Sequence, residues 1–138
     1  MDKYAKAFVK SSLIYLGIGT IMGILMLVWP DYRFALMRVH VHILLLGFMA
    51  MMIYGVGYHI LPRFMGRPIY SHRLGNIQVW IANITLIGLA ISWILEAFQG
   101  GFWHYLYLAI LFGIGQGVAI LIFIINLWKS MIPVAEKG

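Results

Sequence analysis

Four long apolar stretches, near Ser12–Trp29, Phe34–Leu61, Leu74–Leu95 and Trp103–Trp128, leave this chain few choices of fold. Each is long enough to cross a hydrocarbon core about 30 Å thick, which takes about 20 helical residues. In lipid the backbone must satisfy its own polar groups, and a helix does so within one segment. Residues that end helices separate the stretches: Pro30-Asp31, then Pro62 through His72, then Gln99-Gly100-Gly101. With 63% hydrophobic and 10% charged residues in 138, the chain is predicted to be all-α, an integral membrane four-helix bundle. No room remains for a soluble domain, so residues 1–138 are expected to form one transmembrane unit.

Lysine and arginine set the expected orientation. Lys3, Lys6, Lys10, Arg63, Arg67, Arg73, Lys129 and Lys137 fall on one side, and only Arg33 and Arg38 on the other. Both termini are therefore expected in the cytoplasm, in the inner membrane of a prokaryote. The net charge of +6 is accounted for by this asymmetry and by anionic lipid, so no nucleic acid partner is expected. The first apolar run is a full span without a small-residue cleavage site, so it reads as a retained helix and not as a cleaved signal.

The absence of cysteine removes disulfides, thiolate metal sites, iron–sulfur clusters and covalent c-type haem attachment. Asp2, Asp31, Glu96 and Glu136 all fall at or beyond the ends of the spans. Proton-coupled transport, which needs carboxylate relays within the membrane, is accordingly not expected.

Chemistry concentrates in Arg38 to Trp80, where His40 and His42 begin an apolar helix and His59, with Pro62-Arg63, lies near its far end. Histidine at membrane depth is costly and points to function. At 100° per residue His40 and His42 are roughly 200° apart and face nearly opposite sides of the helix. His59 lies 17 residues past His42, a rise of about 26 Å, so it serves the other membrane surface. His104 falls on the same outer side as His40 and His42.

Neutral imidazole suits haem iron, copper and zinc. Zinc asks for three or four converging ligands, and the outer side offers only His40, His42 and His104, of which the first two diverge. Haem b asks for one or two axial imidazoles and an apolar wall. Arg33 and Arg38 are the outer-side cations, and arginine forks match haem propionates. Spacing alone leaves open that they snorkel to lipid headgroups instead.

Small residues supply the expected packing. Gly19 and Gly23 form a small-xxx-small pair in the first helix, and Gly113, Gly115 and Gly117 in the fourth either pack or make room for a flat cofactor. Asn76 and Asn83 of the third helix share a face with Trp80 and read as interhelical glue.

The ordered set Gly57, Pro62, Gly66 and Pro68, followed by Arg73-Leu74-Gly75-Asn76-Ile77-Gln78-Val79-Trp80, resembles the second and third helices of haem–copper oxidase subunit I. The set His42, Gly47, Gly55, Pro62 and Gly66-Arg67-Pro68 equally resembles the NnrS proteins, which are membrane proteins containing haem and copper and tied to nitric oxide stress. These motifs cover about a third of the chain.

The resemblance implies haem b, with copper as a further possibility, held through an outer-side histidine. His42 keeps the NnrS-like spacing and His40 lies nearer the oxidase-like one; His42 is preferred as the iron ligand and His40 comes second. A second axial ligand would come from His104 or a symmetry-related subunit, and His59 with His72 forms an inner-side candidate. The oxidase helices that carry the second axial ligand, the active-site haem and the copper ligands have no counterpart here, so the chain alone is not expected to be a complete terminal oxidase. If it is an enzyme, it is a haem-dependent oxidoreductase. The implied function is electron transport or binding of nitric oxide or oxygen, in a homodimer or as a subunit of a respiratory complex. The rival readings are a cofactor-free assembly subunit of such a complex and a copper- or zinc-binding membrane protein.

Overall fold

The computed structural model describes residues 1–100 and 102–132. Four helices are long and apolar enough to cross a membrane. They are α1 (Lys3–Val28), α2 (Pro30–Met65), α3 (His72–Gln99) and α4 (Phe102–Met131). Each overruns the expected span at one end or both, because charged and polar ends stay helical beyond the apolar runs. Gly101, Glu136 and Lys137 lie outside the described residues.

Pro30 starts α2 in a short 3₁₀ turn, Pro30–Tyr32, where its missing N–H costs nothing. Pro62, expected to end this helix, does not. The helix runs on to Met65, and Gly66 stops it in the left-handed conformation at φ 62°. The amides of Gly66 and Arg67 then close the end on the carbonyls of Arg63 and Pro62, at 3.2 and 3.0 Å. Proline disrupts a helix through the amide it lacks, yet here the chain stays helical for three residues past Pro62 before Gly66 ends it. Ser71 caps α3, its Oγ accepting from the Leu74 amide at 3.2 Å.

Between its two α-helical halves α2 adopts a π-helical stretch, Ile43–Ala50. Such widened turns concentrate at functional sites, and this one begins directly after His42. At Gly47 a Cβ would lie 2.6 Å from Tyr15 Cγ and 3.0 Å from Leu86 Cδ2, so α1 and α3 close on α2 where it is widened. Further along, a Cβ on Gly55 would meet the Ala5 carbonyl oxygen at 2.9 Å and the Val9 amide at 3.1 Å. That is backbone-to-backbone approach, the packing that small residues permit in membranes.

The half of the bundle around Met51–Met65 is filled by aromatic rings. Tyr54 and Phe123 have centroids 4.6 Å apart, Tyr4 and Tyr58 5.1 Å, and Phe8 and Tyr54 5.3 Å. The outward faces carry exposed Leu, Ile, Val and Phe all round, as expected for helices that present side chains to lipid.

Asn83 serves as interhelical glue, accepting from Tyr15 Oη at 3.0 Å. Asn76 does not, since its amide turns back to the His72 carbonyl of its own helix and its side chain is exposed. Gln116 links α4 to α3 through the Ala82 carbonyl at 2.7 Å and Thr85 Oγ1 at 2.8 Å. The glycines of α4 divide: Gly115 packs on Thr85, whereas Cβ atoms on Gly113 and Gly117 would meet no neighbouring helix within 4 Å among the described residues.

Candidate functional site

His40 and His42 point to different neighbours, as their spacing predicts. His40 turns toward α1, with Nδ1 3.0 Å from the Gly19 carbonyl oxygen. A Cβ on Gly23 would lie 3.2 Å from His40 Cε1, so the ring rests on a glycine surface. His42 turns toward α3, its ring 4.5 Å from that of Trp93 in an edge-on contact. Its Nδ1 lies 2.8 Å from the Arg38 carbonyl oxygen, one turn back in the same helix.

A carbonyl oxygen only accepts, so in both rings Nδ1 carries the proton and donates. In neutral imidazole the lone pair then sits on Nε2. Metal-ligating histidines are oriented in just this way by a carbonyl behind the ring. The two small-residue positions of α1 thus acquire a role beyond packing: Gly19 supplies the carbonyl and Gly23 the space for the ring.

His40 also lines an apolar groove of about 380 Å³ with Leu16, Val41, Leu44, Leu45, Phe48 and Met49. The groove opens on the outside of the bundle beside the π-helical stretch. Apolar walls with one fixed imidazole at the edge suit the burial that haem requires.

The other candidates expected at this end have different surroundings. Arg38 pairs with Glu96 of α3 at 3.1 Å, and its guanidinium carbon lies 5.8 Å from the centre of the Trp93 ring. Arg33 is exposed, 5.6 Å from the centre of the Phe34 ring. His104 is exposed in the first turn of α4. Among the described residues helix α4 runs along α3 and meets α2 only over Met51–Met65, so His104 does not pack beside His40 or His42. Among the described residues no group of three or more His, Asp or Glu side chains comes close enough to hold a metal ion.

The pair expected at the opposite end is brought together. His59 and His72 line one cavity of about 300 Å³ with Arg63, Arg67 and Asp2. Arg63 donates to the His59 ring and, at 2.6 Å, to its carbonyl oxygen. The Tyr4 hydroxyl donates to Asp2 at 3.1 Å and so receives the His72 Nδ1–H, also at 3.1 Å. Each ring nitrogen that faces a neighbour is thus already in use.

A buried polar chain behind this cavity has no clear signal in the sequence. Tyr58 donates to Gln78 Oε1 at 2.5 Å, and Asn126 reaches Tyr58 Oη at 3.4 Å. Asn126 also holds the backbone of Ser71, accepting from its amide and donating to its carbonyl, both at 2.9 Å. The one hint is an amide at each of Gln78 and Asn126 within apolar helices.

No family model matches the chain, and no solved structure matches it. It is similar to the cbb3-type cytochrome c oxidase subunit CcoN1 of Stutzerimonas stutzeri, at 31% identity over 107 residues, covering 70% of this chain. The chain spans 22% of the length of that relative. This similarity supports kinship at the level of the haem–copper oxidase superfamily and nothing finer.

Proposed function

We propose that the chain is a membrane haem b protein related to haem–copper oxidase subunit I, of a prokaryotic inner membrane, with the iron held by an outer-side histidine of α2. The observation that carries this reading is the His40 imidazole, fixed through Nδ1 on the Gly19 carbonyl with its coordinating nitrogen left over, at the edge of an apolar groove. His40 is preferred as the ligand and His42 is second, the reverse of the order that the NnrS-like spacing suggests and in keeping with the oxidase-like one. The His42 ring lies against Trp93 and is anchored only within its own helix. The similarity to a cytochrome c oxidase subunit favours a redox role.

When bound, the haem would supply one-electron transfer if both axial positions were filled, or diatomic gas binding if one were open. The chain's own part is to orient the imidazole, keep water from the groove wall and bury the macrocycle against Leu16, Leu44 and Phe48. Since His104 does not pack beside either candidate, a second axial ligand is proposed to come from another copy of the chain in a homodimer. Assembly with the other subunits of a respiratory complex would serve equally.

Absorption of the purified full-length protein tests the reading. Haem-replete expression should give a Soret band that shifts on dithionite reduction, and carbon monoxide should shift it again if the sixth position is open. Protein that stays folded without any such band leaves the cofactor-free assembly subunit as the better account.

A further inference from the structure

At the opposite end of the bundle from His40, the cavity that joins His59 and His72 sets two guanidinium groups against one carboxylate, that of Asp2. Arg63 and Arg67 stand in its wall, with the first turn of α3 beginning at His72. A helix N-terminus adds positive potential there. A second cavity of about 440 Å³ shares Arg67, Pro68 and Ile69 with the first and adds Lys129 and Ser130. Arg67 therefore stands between two openings, with the Arg63 side chain on one side and Lys129 on the other.

These cations are short of counter-charge. Among the described residues the one salt bridge is Arg38–Glu96, near the other end of the bundle. Arg67 gives one guanidinium nitrogen to the Met131 carbonyl at 3.3 Å, and Arg63 gives one to His59. A guanidinium has five N–H donors, so most of each fork is left for another acceptor. Lys129 rests on the Tyr70 ring, 4.7 Å from its centre. The carboxylate in the first cavity's wall is Asp2, which accepts from the Tyr4 hydroxyl.

We propose that Arg63, Arg67 and Lys129, around the paired cavities, form a binding site for a phosphate-bearing anion. Two guanidinium forks and an ammonium are the donors that phosphate oxygens take, and arginine takes them two at a time. The position at the helix ends makes the headgroup of an anionic phospholipid one source of that phosphate, and free phosphate is the other. The site is independent of the haem reading, since none of its residues touches the His40 groove.

Thermal unfolding of the purified full chain in detergent, followed by tryptophan fluorescence, tests the site. The probes are phosphatidylglycerol, phosphatidylcholine and inorganic phosphate, against equal ionic strength of chloride. Phosphatidylglycerol should raise the midpoint by about 3–6 °C, as a ligand held well above its Kd does, and phosphatidylcholine by less. R63Q/R67Q should lose the rise, whereas K10Q, which removes a cation outside the cavities, should keep it. If inorganic phosphate reproduces the rise, the physiological source is free phosphate. D2N, which takes the opposing carboxylate from the wall and leaves the guanidinium groups alone, should lower the phosphatidylglycerol concentration needed several-fold. The proposal is overturned if neither phosphatidylglycerol nor inorganic phosphate stabilises the wild-type chain, if phosphatidylcholine stabilises it as well as phosphatidylglycerol does, if R63Q/R67Q responds as fully as wild type, or if D2N leaves the binding midpoint unchanged.

Discussion

His40 Nδ1 lies 3.0 Å from the carbonyl oxygen of Gly19, and this contact between α2 and α1 fixes the proton on Nδ1 and leaves the lone pair of the neutral ring on Nε2. Four residues on from Gly19, Gly23 gives the ring its room, with a Cβ there standing 3.2 Å from Cε1. Gly23→Val should therefore tilt the imidazole and lower haem occupancy several-fold. Gly17→Val should not, because a Cβ there would meet no neighbouring helix within 4 Å among the described residues. Soret absorbance per protein in the two variants checks this, and equal loss in both would count against the His40 assignment.

The histidines themselves give a sharper test of the same site. His40→Ala should abolish the Soret band, while His42→Ala should keep it, because that ring lies against Trp93 and not in the groove. The opposite result would restore the order that the NnrS-like spacing suggests.

Arg38 and Glu96 form a half-exposed pair, with side-chain exposures of 47% and 15%. Exposed pairs of this kind contribute about 0–1 kcal/mol. Glu96→Gln should therefore cost less than about 1 kcal/mol in low salt, and the difference should shrink toward zero near 1 M salt, where the Debye length is about 3 Å. Thermal unfolding at the two ionic strengths measures it. A loss that persists in high salt would mean that Glu96 holds α3 in place by something other than charge.

Much of this is legible in the sequence, and what is not has identifiable causes. The divergence of His40 and His42 follows from helical periodicity alone, and the structure turns one to α1 and the other to α3. The π-helical stretch is not legible, because Ile43–Ala50 is a uniform apolar run whose side chains suit either hydrogen-bond step. Pro62 reads as a stop because its missing donor is visible in the sequence, whereas the helix runs on to Met65 and closes at Gly66, an end that depends on geometry. Asn76 and Asn83 look equivalent by spacing, yet only Asn83 meets a tyrosine on another helix. Which amide finds a partner depends on how the helices are placed, and that is not written locally.

Gly55 brings two main chains together, facing the Ala5 carbonyl and the Val9 amide of α1. A backbone does not move aside as a side chain does. Gly55→Val should force α1 and α2 apart and cost about 1–3 kcal/mol, the usual penalty for overpacking. Gly113→Val, on the open face of α4, should change stability by less than about 0.5 kcal/mol. Unfolding midpoints in one detergent compare them directly.

Tyr58 and Gln78 are the most telling pair for stability, because both are buried and each depends on the other. Tyr58 donates to Gln78 Oε1, while Gln78 Nε2 has no hydrogen-bond partner among the described residues. Removing one member leaves a buried donor or acceptor of the other unmet, at about 1–3 kcal/mol. Tyr58→Phe should destabilise by that much, since Gln78 Oε1 then loses its donor. Gln78→Leu should cost less, because it removes the unpartnered amide along with the acceptor. Added to Tyr58→Phe, the same Gln78→Leu change should be neutral or stabilising, since it removes a buried amide that has lost its partner. The double-mutant cycle should give a coupling between about 0.5 and 3 kcal/mol; strictly additive losses would show that the hydroxyl and the amide act separately.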